Sequence, residues 1–144
     1  HGKVMSNFTI RQLDHTADYF VSIEADSLPH LLQGAVQAIT KYCVEEIIRH
    51  SPTPFIINLD IQEDSLDDLI ISFLNEVLFL METRHVFFNH SEFGNVTQTS
   101  IQCTLYGISK EVVTASGEIK AATYHGLSVT HSLGNWTARI LFDV

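Results

Sequence analysis

The stretch DHTAD, residues 14 to 18, sets two aspartates and a histidine within five positions, directly after FTIRQL, a run with strand character. In an extended chain alternate side chains share a side, so Asp14, Thr16 and Asp18 could converge, with His15 and Ala17 opposite. Converging carboxylates repel unless a cation or hydrogen-bond donors stand between them, so one reading of the segment is a cation site. The other is a turn or bulge in which Asp14 and Thr16 bond backbone N–H groups, the commoner use of such residues in isolation. Taken alone, the segment favours the turn. Elsewhere the chain shows no GxSxG, no Walker-type glycine run, no HExxH and no paired cysteines for zinc. The histidines at 15, 30, 50, 85, 90, 125 and 131 have no ligand spacing that stands out.

The elements that must position this chemistry follow from periodicity. Tyr19, Val21, Ile23 and Ala25 alternate onto one face after DHTAD, so the chain holds either two strands or one strand interrupted there. Ser27 caps a helix with Pro29 in its first turn and Leu28, Leu31, Leu32, Ala35 and Ile39 at helical spacing, ending near Cys43. FIINLDIQ returns to a period of two, with Phe55, Ile57, Leu59 and Ile61 on one side. Ser65 and Asp68 form a capping-box pattern ahead of the longest helical stripe, Leu66 to Met81, and Asp64, Asp67 and Asp68 complement the positive helix end. After Arg84 the pattern is strands, HVFFN, TSIQCTLYG, AATYHGLSVTHS and WTARILFDV, with LGN as a tight turn before the last. In that last strand Trp136, Ala138, Ile140, Phe142 and Val144 share one face, which leaves Asp143 on the other. The expected architecture is a single α+β domain, two helices on a mostly antiparallel β-sheet.

The chain has 144 residues, the size of one domain, with 45% hydrophobic and 17% charged residues. Its net charge of −9 rests on only eight Lys and Arg, scattered along the chain, so direct binding to a nucleic-acid backbone is not expected. A role in nucleic-acid metabolism would run through a protein partner or a cation. No membrane span or signal segment is visible, and the expected location is the cytoplasm. Residues 8–144 are expected to form the domain, and HGKVM, residues 1–5, to be a remnant of expression. Cys43 and Cys103 read as reduced, packed thiols, and the Asn-x-Ser/Thr triplets at Asn7, Asn89, Asn95 and Asn135 carry no weight without a secretory signal.

Four separated blocks, DHTAD, DDLIISFLNEVLFLMET, GEIKAATYHGL (residues 117 to 127) and the terminal ILFDV, resemble the archease family in the same order, from about Phe8 to Val144. The resemblance implies a non-catalytic accessory protein of the GTP-dependent RNA-splicing ligase, promoting guanylylation and multiple turnover in tRNA splicing and RNA repair. It implies a cation site with Asp18 and Asp143 as ligands and Asp14 and His15 in support. Carboxylates suit calcium first, with magnesium or manganese as the other hard-cation choices, and suit zinc less. Lys120 matches a position required for function, with Glu118 and His125 in the same block. The chain departs from the family pattern at the bulky Tyr19 and Phe20 and in YGISKEVVTASG, which stands where an acidic loop is usual. Two other readings stand beside it: a metal-dependent hydrolase whose same carboxylates activate water, and a chaperone or modulator of an RNA-modifying enzyme.

Overall fold

The computed structural model describes residues 7–13, 18–50 and 53–144. Phe8–Leu13 (β1) and Tyr19–Ala25 (β2) pair antiparallel with Leu13 opposite Phe20, so the interruption read in the sequence separates two strands of a hairpin. Leu28–Cys43 forms helix α1, where the Ser27 side chain accepts from the His30 N–H and satisfies a donor that the first turn leaves open. Val44–Ile47 (β3) follows at once, then Phe55–Gln62 (β4) and helix α2, Leu66–Arg84, capped by Ser65 accepting from the Asp68 N–H. His85, in the left-handed conformation, ends α2 and turns the chain into Val86–Val96 (β5). Ser100–Ser109 (β6), a short 3-10 turn at Lys110–Val112, Val113–Ala115 (β7), Ala121–Ser132 (β8) and Asn135–Asp143 (β9) complete the described elements.

The α+β arrangement expected from the sequence is present, with its antiparallel strands divided among three sheets rather than gathered in one. They are ordered β1-β2-β9-β8, β4-β6-β5 and β3-β7. Both helices lie between the two larger sheets: α1 packs on β1, β2 and β9 on one side and β5 on the other, and α2 on β8 on one side and β4, β5 and β6 on the other. This explains why α2 buries Ile71 and Leu80 as well as its main stripe. The strands β3 and β7 escaped the sequence reading because four and three residues are too few to show a period, and β5 runs past HVFFN through two register shifts that break its alternation. The expected turn before β9 is the two-residue Leu133–Gly134 connection, with φ of 53° and 75°, which matches the right-handed twist of β8 and β9. Among the described residues no helix is long and apolar enough to cross a membrane.

Candidate functional site

The β2–β9 register brings together segments more than a hundred residues apart. Tyr19 stands opposite Phe142, which leaves Asp18 and Asp143, the next residue of each segment, at the same end of this antiparallel pair. Tyr19 fixes the start of β2: it is 4% exposed, its hydroxyl donates to the Ala38 carbonyl at 3.1 Å, and its ring lies against Tyr42 and Phe142, with centroids 4.5 and 5.7 Å away. Burial pushes its phenol up to about 12. The bulky pair after DHTAD therefore splits between the faces of the sheet. Tyr19 enters the core, and Phe20 lies on the opposite face with Leu13 and Leu141, its strand neighbours. Asp143 is exposed on that same outward face, because Phe142 before it is fully buried.

The segment between β7 and β8 brings in the third group. Ser116 donates its N–H to the Cys43 carbonyl at 2.9 Å and its hydroxyl to the Tyr42 carbonyl at 2.7 Å. A Cβ on Gly117 would sit 2.6 Å from the Tyr42 ring, so a larger residue there forces the ring or the segment aside. Ile119 is buried at 7% exposure, which turns Glu118 and Lys120 to solvent on either side of it. The Lys120 N–H then donates to the Asp143 carbonyl at 2.8 Å, just ahead of the Ala121–Asp143 pair that opens the β8–β9 ladder. Lys120 also borders a cleft of about 460 Å³ together with Asn75, Phe79 and Glu118.

Asn75 was not singled out by sequence reasoning, yet it holds this arrangement. Its side-chain amide donates to the Ala122 carbonyl at 3.1 Å, and its side-chain oxygen accepts from the Ala122 N–H at 2.9 Å. It thus pairs the outer edge of β8 as a neighbouring strand would. The signal lay in the sequence LNE, an amide inside an otherwise apolar helix stretch, which must find a partner when buried.

The structure brings Asp18, Asp143 and Lys120 to one end of the four-stranded sheet and leaves other expected site residues apart. Glu118 is exposed on the cleft side, and His125 is exposed in a bulge of β8 between the Thr123–Leu141 and Ser128–Arg139 pairs. Neither makes a hydrogen bond or ion pair with the two aspartates among the described residues. Beside His125, the Tyr124 hydroxyl donates to Asp68 at 2.6 Å, and that bond raises the phenol's pKa. Asp14 and His15 lie outside the described residues, so the convergence of Asp14, Thr16 and Asp18 is not part of this geometry. Among the described residues no group of three or more His, Cys, Asp or Glu could hold a metal ion. What they offer is two aspartates at one sheet end, and carboxylate oxygens are donors that hard divalent cations take and zinc takes less readily.

Comparison with known proteins gives one consistent result. The family model described as "Archease protein family (MTH1598/TM1083)" matches residues 11–144. The chain is 25% identical over 138 residues to "Protein archease" of Methanosarcina barkeri (strain Fusaro / DSM 804), covering 92% of this chain and 93% of that one. Its fold is similar to the solution structure of Methanobacterium thermoautotrophicum protein 1598, with a TM-score of 0.67 and 20% identity over 97% of this chain and 100% of that one. It is also similar to the crystal structure of a Thermotoga maritima archease, named a possible chaperone, with a TM-score of 0.64 and 16% identity over the full length of both chains.

Proposed function

The chain belongs to the archease family, and on that premise we propose that it is a non-catalytic, cation-binding accessory protein that activates a GTP-dependent RNA-splicing ligase. The observation that supports this reading is the β2–β9 register, which leaves Asp18 and Asp143 at one sheet end, where the Lys120 N–H is bonded to the Asp143 carbonyl. Asp18, Asp143 and Asp14 would hold a hard divalent cation, calcium first and magnesium or manganese otherwise, which neutralises carboxylates that would repel each other without it. The cation supplies a concentrated positive charge at the tip when bound. The chain's own residues do the rest. Tyr19 packed on Tyr42 anchors the start of β2, and the bonds of Ser116 and of the Lys120 N–H tie the segment that carries Lys120 to the same sheet end. A rigid tip of this kind is suited to entering the nucleotide site of a protein partner, where the ammonium meets phosphate oxygens as a point charge.

The thiols favour an accessory role over nucleophilic catalysis. Cys43 and Cys103 are both buried, and burial pushes their pKa values up to about 11 and about 12, the opposite of an activated nucleophile. The test is RNA ligation by the partner ligase at limiting concentration, with wild-type protein, Asp18→Ala and Asp143→Ala. The expected result is many turnovers with wild type and a plateau near one turnover with either variant, each variant keeping the wild-type circular dichroism spectrum. Normal stimulation by both folded variants would overturn the reading.

A further inference from the structure

The outward face of the four-stranded sheet carries a second set of polar groups, away from the Asp18–Asp143 tip. In register across the sheet stand Arg11 of β1, Ser22 of β2, Arg139 of β9 and Ser128 of β8. All belong to the outward face, because Ile10, Val21, Ile23, Ala138, Ile140 and Val129, next to them in sequence, face the core. Arg139 and Asp143 share that face four residues apart on β9, about 13 Å along a strand, so the two sets are distinct.

Two observations mark this row. Ser22 is 2% exposed, and its hydroxyl is the one buried side-chain polar atom without a hydrogen-bond partner among the described residues. Leaving such a group unpaired is unfavourable, so the fold bears a penalty that a ligand could relieve. The arginines beside it are exposed, and among the described residues neither forms an ion pair, not even with Glu24 in the next row. In a chain of net charge −9 with eight Lys and Arg in all, two uncompensated guanidiniums flanking a buried hydroxyl stand apart from the general acidity.

We propose that Arg11, Ser22 and Arg139 form a binding site for a phosphoryl oxyanion, with Ser128 at its margin. The arginines are two strand spacings apart, about 10 Å, a gap that two long side chains close from opposite sides over Ser22. Guanidiniums approaching from two directions suit a tetrahedral oxyanion, because each fork takes a different pair of oxygens, whereas a planar carboxylate is satisfied by one fork. A ligand held between the guanidinium groups presents a third oxygen towards Ser22, to which its hydroxyl donates. The phosphoryl group comes from a free nucleotide or from an RNA strand, and both present the same chemistry.

The test is a titration of isotope-labelled protein followed by nuclear magnetic resonance, reading arginine Nε–H signals and backbone amides. Inorganic phosphate, GTP and a short single-stranded RNA are added in separate arms. Saturable shifts at Arg11, Arg139 and Ser22 are expected in at least one arm, and the tightest arm identifies the source. Arg139→Met should weaken binding at least tenfold, and Arg11→Met, on an edge strand where folding is least at risk, should do the same. Ser22→Ala should weaken binding about fivefold while leaving the melting temperature unchanged or higher, an outcome that a merely structural hydroxyl would not give. Absence of saturable shifts in all three arms, or unchanged affinity in Arg11→Met and Arg139→Met, would overturn the proposal.

Discussion

At the residue scale, Tyr19 and Lys120 show two ways in which a single side chain serves the sheet end. Tyr19 is structural: its hydroxyl reaches α1 and its ring separates the core from the first residue of the site. Tyr19→Phe keeps the ring and removes the bond to Ala38, and is expected to cost about 0.5–1.5 kcal/mol in urea unfolding at neutral pH. Lys120 is exposed and held by its backbone, so its side chain is not needed for the fold. Lys120→Met should stay within about 0.5 kcal/mol of wild type in stability. If the ammonium meets an anionic group on the partner, the same variant should lower stimulation of ligation by roughly tenfold to a hundredfold, the equivalent of one charge-assisted hydrogen bond. A ligation assay with matched unfolding curves separates the two effects.

At the scale of elements, the site depends on how an edge strand is finished. Strand β8 has β9 on one side only, and its open edge at Ala122 is closed by Asn75 from α2. This couples the longest helix to the segment that carries Lys120. Asn75→Ala leaves both Ala122 groups without their partner, so a loss of about 1–3 kcal/mol is expected in denaturant unfolding. Amide exchange at Ala122 should quicken more than at core strands such as β6, because the loss is local. A uniform change across all strands would mean that Asn75 supports the whole fold rather than this edge.

At the scale of the whole molecule, three buried acids, Cys43, Cys103 and Tyr19, give the fold a common dependence on alkaline pH. Burial raises their pKa values from 9.0 to about 11, from 9.0 to about 12 and from 10.0 to about 12. Each becomes charged on losing its proton, so the unfolded chain ionises first while the folded chain still holds the proton. Their contribution is therefore complete below about pH 9, falls as pH rises, and is lost by about pH 12. Thermal melts from pH 8 upward should show a falling midpoint, and Tyr19→Phe should flatten the fall above about pH 10. A midpoint independent of pH over that range would contradict the burial seen for these groups.

Much of this molecule was determined by the sequence itself, because helix caps, helical stripes and strand alternation are set by neighbours within a few residues. Ser27 and Ser65 cap where expected, Tyr19 to Ala25 alternate into the core, and Phe142 facing inward leaves Asp143 facing out. The four blocks likewise pointed to the family whose model matches residues 11–144. Local pattern did not reveal the edge pairing by Asn75, the contact of Gly117 with Tyr42 or the row of Arg11, Ser22 and Arg139, since each needs partners far along the chain. DHTAD alone favoured a turn over a cation site. Only the tertiary structure brought Asp18 and Asp143 to one end of the sheet, because burial of β2 and β9 against the helices fixes a register in which a slip of one residue would turn the core face to water.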